Sequence, residues 1–205
     1  MDMVFGIALL SAPVILTGTA LLYVLLRRNG RKKGRPRVRD LTFCVFAAYV
    51  ILVWFATLGL SLLLGQNARP SDWEWWFLLN LRPFDWLSPL WKLGWTAGWA
   101  EISTGLVFRQ LGLNILMFVP FGVLLPVVFP RLRRLWRTGL TGLALTLAIE
   151  TTQYFTGRSA DIDDVLANFA GALIGYAIYR LLDQLLSQRV WWHQMNGRPV
   201  EPSAS

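Results

Sequence analysis

Cysteine and histidine are almost missing from this 205-residue sequence, which holds one of each, Cys44 and His193. A single cysteine excludes an intramolecular disulfide framework and the paired-cysteine spacings of zinc sites. One histidine in a polar tail argues against His-based zinc or triad chemistry. Charge is also scarce, at 16% of residues, and uneven in sign, with 12 acidic against 20 basic side chains. No internal repeat stands out, and the only low-complexity stretch is one basic loop. What remains is apolar: 55% of the chain is hydrophobic, too much for an ordinary soluble domain of this size.

The net charge of +8 would point to nucleic acid in a soluble chain. Its placement points to a membrane instead. Eight basic residues fall between Arg27 and Arg39 and four between Arg131 and Arg137, each group abutting an apolar block. This is the positive-inside pattern of cytoplasmic loops, so membrane lipids are the expected partners and nucleic acid is not. The basic loop reads first as a topology signal bathed in anionic headgroups.

A spanning helix needs about 20 mostly apolar residues. Blocks of that kind run from about Met3 to Leu26, Leu41 to Leu64, Leu111 to Phe129, Thr138 to Phe155 and Val165 to Leu186. The expected fold is therefore all-α, a polytopic bundle of about five transmembrane helices in a bacterial plasma membrane. The first block is too long, and lacks the preceding basic residues, for a cleavable signal. The basic run after it places the N-terminus outside and the polar tail 187–205 in the cytoplasm. Pro120 and Pro126 each remove a backbone donor from the third block, so kinks are expected there.

Between the second and third blocks, the stretch 65–110 carries Trp73, Trp75, Trp76, Trp86, Trp91, Trp95 and Trp99, interleaved with charges such as Asp72, Glu74, Asp85 and Glu101. Tryptophan favours the headgroup level, because its ring is apolar and its N–H wants a polar partner. The stretch reads as lying along the outer surface, either as an aromatic anchor or as a platform on which a ligand stacks.

Ionisable groups inside spanning segments are costly enough to count as functional candidates. Asn114 lies near the outer end of the third block. Glu150 and Gln153 share one face of the fourth, with Glu150 roughly 9 Å below its outer end at 1.5 Å per residue. Asp161, Asp164, Asn168, Gly171 and Gly175 follow a three-to-four spacing into the fifth. With Arg158 in the connecting turn, these groups fall at one membrane depth. They can satisfy one another, with Arg158 as counter-ion and Asp161, Asp163 and Asp164 at the positive end of a helix. They can also bind a polar headgroup, or Asp161, Asp163 and Asp164 can hold a divalent cation beside a lipid-linked pyrophosphate. Proton-coupled transport through Glu150 is a third reading, poorly matched to so few helices without a repeat. Gly171 and Gly175, four apart, mark a face for close packing on the third or fourth helix.

Read in order, Asn80-Leu81-Arg82-Pro83-Phe84, the stretch Asn114 to Gly122, Glu150-Thr151-Thr152-Gln153, Gly157-Arg158, Asp161-Ile162-Asp163-Asp164, Asn168, Gly171 and Gly175 resemble the VanZ-like family of multi-pass bacterial membrane proteins. The likeness spans roughly Leu41 to Leu182. It divides the chain into an added first helix and basic loop (1–40), a VanZ-like membrane domain (41–186) and the tail. What the resemblance implies is reduced susceptibility to teicoplanin-type glycopeptides, and with it a lipid-linked cell-wall precursor or a glycopeptide as partner. Whether the family catalyses a reaction, as a hydrolase or transferase acting on such a lipid, stays open.

Overall fold

The computed structural model describes residues 2–59, 75–104 and 106–199. The part of the tryptophan-rich stretch that holds Asp72, Trp73 and Glu74, and residues 200–205 of the tail, lie outside the described residues. The chain is helical, as its composition requires. Helices α1 (Asp2–Lys32) and α2 (Arg37–Trp54) form a hairpin, and α2 ends in a π-helical turn, Phe55–Gly59. A two-residue strand β1 (Leu79–Asn80) precedes two short helices, α3 (Ser88–Leu93) and α4 (Trp95–Thr104). Then come α5 (Leu106–Val128), α6 (Leu135–Phe155), strand β2 (Ala160–Asp161), α7 (Ile162–Leu185) and α8 (Val190–Asn196). The two strands pair in parallel, with Leu79 opposite Ala160 and Asn80 opposite Asp161.

Three helical stretches among the described residues are long and apolar enough to cross a membrane: Arg37–Thr57, Arg109–Val128 and Ile162–Leu185. The sequence had suggested five spans. Of the other two helices, α6 has the length, 21 residues, but five threonines, Glu150 and Gln153 dilute its hydropathy. In α1 the side chains of residues 2–11 and 14 are not described. Helices also run past the apolar blocks, since charged residues end a hydrophobic stretch without ending a helix.

The packing centre is the α5–α7 pair, and glycine makes it possible. A Cβ on Gly122 would overlap the carbonyl oxygen of Ala172, one on Gly175 that of Val119, and one on Gly171 that of Ile115. Side chains are absent where the two backbones meet, so dispersion contacts form along the whole seam. The expected packing face at Gly171 and Gly175 is thus placed on the third apolar block. Helix α6 closes on the same seam, with Gly142 beside the Ala172 methyl and Gly139 against Phe169 and Leu173. Phe118, Phe121, Leu125, Ile149, Ala172 and Val53 form the buried cluster. Outward, Leu113, Leu116, Leu140, Leu147, Ile174 and Leu181 stay exposed, as a surface facing hydrocarbon requires.

Both prolines sit inside one continuous helix. Pro120 cannot donate to the carbonyl one turn back, and beside that gap the Tyr49 hydroxyl donates to the carbonyl of Met117. At the C-terminal end of α5 the last four carbonyls lack helical partners, and each finds one. Leu125 O accepts from Phe129 N at 2.8 Å, Pro126 O from Arg133 Nε at 3.1 Å, and Val127 O and Val128 O from the two Arg39 Nη groups at 2.7 and 2.6 Å. The same two guanidinium groups donate to Met195 and Asn196 carbonyls, so they also tie α8 to the bundle. The segment after Gln188 therefore holds a docked helix within the expected polar tail, with Trp192 buried against Val127, Tyr176 and Tyr179. Part of the basic loop is structural too: Arg27 and Arg35 flank the buried Asp40 at 2.9 and 3.5 Å.

Candidate functional site

The site is built at the N-terminal ends of α5 and α7. Asp161 is the N-cap of α7, its Oδ1 accepting from Asp163 N at 2.8 Å, and Asp163 and Asp164 fill the first turn where the helix dipole favours carboxylates. Its Oδ2 accepts from Asn80 Nδ2 at 3.1 Å, while its backbone N–H donates to Glu150 Oε2 at 3.1 Å. Glu150, 6% exposed, thus reaches from α6 to the base of β2.

Asp163 holds the other end of the Asn80–Phe84 segment, its Oδ1 accepting from Phe84 N at 2.8 Å. Phe84 is the only non-glycine among the described residues with positive φ, at 62°. A bulky side chain in that region is strained, and the carboxylate, strand pairing and Asn80 bond together hold it there. Asp164 turns toward α5 and accepts from Gln110 Nε2 at 3.1 Å, with Asn114 also against it.

Two expected members also reach a different element. Gln153 Nε2 and Arg158 Nη1 both donate to Thr57 O, at 3.3 and 2.6 Å, and so serve the π-helical turn that ends α2. The positive charge of Arg158 also acts on Glu150. Asn168 lies one turn deeper, 2% exposed, donating to Thr146 Oγ1 at 2.8 Å while its own Oδ1 has no partner. The described residues hold no group of three or more His, Cys, Asp or Glu side chains placed to grip a metal ion. Backbone and amide donors reach both oxygens of Asp161, Oδ1 of Asp163 and the carboxylate of Asp164.

Two cavities meet at this junction. One, of about 220 Å3, is lined by Asn80, Asp85, Trp86, Gln110, Asp161, Asp163 and Asp164. The other, of about 370 Å3, is a largely apolar groove walled by Leu79, Leu81, Leu147, Tyr154, Phe155 and Val165, with Glu150 and Asp161 on its floor. Asp161 belongs to both, so the β1–β2 pairing separates a polar compartment from an apolar one. Among the described residues no lysine or arginine lines either. Carboxylates crowded together favour ligands that bring hydrogen-bond donors, positive charge or a bound cation.

Asn80, Asp85 and Gln110 were not among the expected site residues. Asn80 and Gln110 lie 81 and 54 positions from their aspartate partners, and no local spacing reports such pairings. The segment Asn80–Phe84 was nonetheless noticed, and it is the one that α7 clamps.

Fold and site define a helical membrane protein with an acid-lined pocket opening beside an apolar groove. This chain belongs to the VanZ/LLP1 family, whose model matches residues 41–183. It is 34% identical over 83 residues to Protein VanZ of Enterococcus faecium, an alignment covering 40% of this chain and 51% of that protein. The chain thus spans about half the length of the curated relative it matches. No solved structure matches it.

Proposed function

We propose that this protein binds, without reacting on it, an amphiphilic cell-envelope ligand such as a lipid-linked cell-wall precursor, and that occupancy lowers the action of teicoplanin-type glycopeptides. The observation that carries the reading is the shared wall at Asp161. A lipid tail fits the groove beside Leu147 and Phe155, while hydroxyl, amide or ammonium groups of the head fit the acid-lined pocket. The aspartates suit binding more than metal-assisted chemistry, since each already accepts hydrogen bonds that hold the scaffold. In the full reading α1 and α6 also span, giving five crossings, with the N-terminus outside, the C-terminus cytoplasmic and the Asp161 junction facing the wall.

The experiment is incubation of the purified full-length chain in nanodiscs with a lipid-linked precursor and magnesium, followed by mass spectrometry of protein-bound lipid and of products. Precursor should be retained intact, and Leu147→Trp, which fills the groove from an exposed position, should release it. Reproducible turnover that disappears in Asp161→Ala would replace binding with catalysis by a carboxylate or metal site.

A further inference from the structure

The opposite end of α5 holds a different kind of cavity. It is an open pocket of about 530 Å3 between the α1–α2 turn and the end of α8, and Lys33, Arg35, Arg39, Phe43, Gln194 and Arg198 contribute to its wall. Among the described residues its lining includes four cations and no carboxylate.

Among the described residues the surrounding charges do not balance. Arg27 and Arg133 stand behind the wall, which makes six cations, and the carboxylates that reach them are Asp40 and Asp183. Asp40 is buried and shared between Arg27 and Arg35. Asp183 is taken by Arg198 at 2.8 Å and by the Trp192 indole N–H at 2.8 Å. Arg39 and Arg133 spend their donors on backbone carbonyls, which satisfies their hydrogen bonds but neutralises no charge. Arg35 and Arg133 lie near enough to Arg39 to repel it. The Lys33 ammonium, at the rim, makes no hydrogen bond or ion pair with the described residues, its backbone N–H alone donating to Gly30 O. Like charges gathered at a partly buried site raise its energy, and an anion placed among them lowers it.

We propose that this cavity is a binding site for a phosphate-bearing anion, carried on a lipid headgroup or as a free phosphate ester. A phosphate accepts several charge-assisted hydrogen bonds at once, and Lys33 and Arg35 are placed to supply them. This site is separate from the acid-lined junction, which suits the opposite charge.

The test uses the full-length chain in detergent micelles, titrated with phosphatidic acid, diacylglycerol and glycerol phosphate and followed by native mass spectrometry. Phosphatidic acid should bind saturably and diacylglycerol should not. The double variant Lys33→Gln/Arg35→Gln should weaken binding about tenfold or more, since each basic residue near a headgroup contributes roughly a kcal/mol. Arg131→Gln/Arg134→Gln removes the same charge elsewhere and should change affinity less than twofold. The single change Lys33→Glu, at an exposed side chain, gives the same readout without disturbing Asp40. Glycerol phosphate binding with the same dependence on these residues assigns the site to soluble phosphate esters, and binding of the lipid alone assigns it to headgroups. Equal weakening by the two double variants, or no preference for phosphatidic acid over diacylglycerol, overturns the proposal.

Discussion

Asp161 has three jobs: it caps α7, ties Asn80 to the junction and presents its N–H to Glu150. Asp161→Ala should therefore lower stability by about 1–2 kcal/mol, the usual cost of a lost N-cap. Asp161→Asn keeps an acceptor for the Asp163 N–H and should cost less. Thermal unfolding of the two variants in micelles checks this, and equal melting temperatures for both would contradict it. The residues of this cluster were legible in the sequence because Glu150, Asp161, Asp163, Asp164 and Asn114 are polar groups at one depth of otherwise apolar segments. The partners of Asp161 and Asp164 were less so. Asn80 and Gln110 look like ordinary polar residues of a long connection until the fold brings them to α7. Gln153 and Arg158 also each donate to the carbonyl of Thr57, a partner about 100 positions away that no local spacing reports.

At the scale of elements, glycine position decides how α5 and α7 meet. Gly112 and Gly122 lie in the same helix, yet a Cβ at Gly112 meets nothing within 4 Å, while one at Gly122 runs into the Ala172 carbonyl. Gly112→Ala should stabilise the protein by about 0.5–1 kcal/mol through helix propensity. Gly122→Ala should destabilise it by about 1–3 kcal/mol through overpacking against backbone that cannot turn aside. Melting curves of the pair measure the difference, and a shift of the same sign in both would contradict the seam. Periodic glycines revealed this face in advance. Helix α8 was not foreseen, because Arg189, His193 and Arg198 make its segment look like a polar tail. The signal was Trp191-Trp192 with Met195, and Trp192 is the side chain that anchors it.

Across the whole molecule, the two ends of α5 differ in charge. Carboxylates gather at its N-terminal end and arginines at its C-terminal end, where Arg39 and Arg133 cap its last carbonyls. That polarity agrees with the helix dipole and with a basic side facing the cytoplasm. In a Cys44→Ala background, Ser159→Cys should react from outside intact cells with a membrane-impermeant thiol reagent, and Gly34→Cys should not. The reverse pattern would turn the acid-lined pocket to the cytoplasm and remove its access to wall precursors. Membership of the VanZ/LLP1 family, resting on residues 41–183, takes in the whole of the Asp161 junction. It leaves all of α1 outside the match, along with α8.

The most direct measurement of the central claim is site-specific photocrosslinking in living bacteria from position 151, on the wall of the apolar groove, compared with position 181, exposed near the other end of the bundle. The account predicts an adduct with the mass of a lipid-linked precursor at Thr151 and only bulk phospholipid at Leu181. Identical phospholipid adducts at both positions would contradict it.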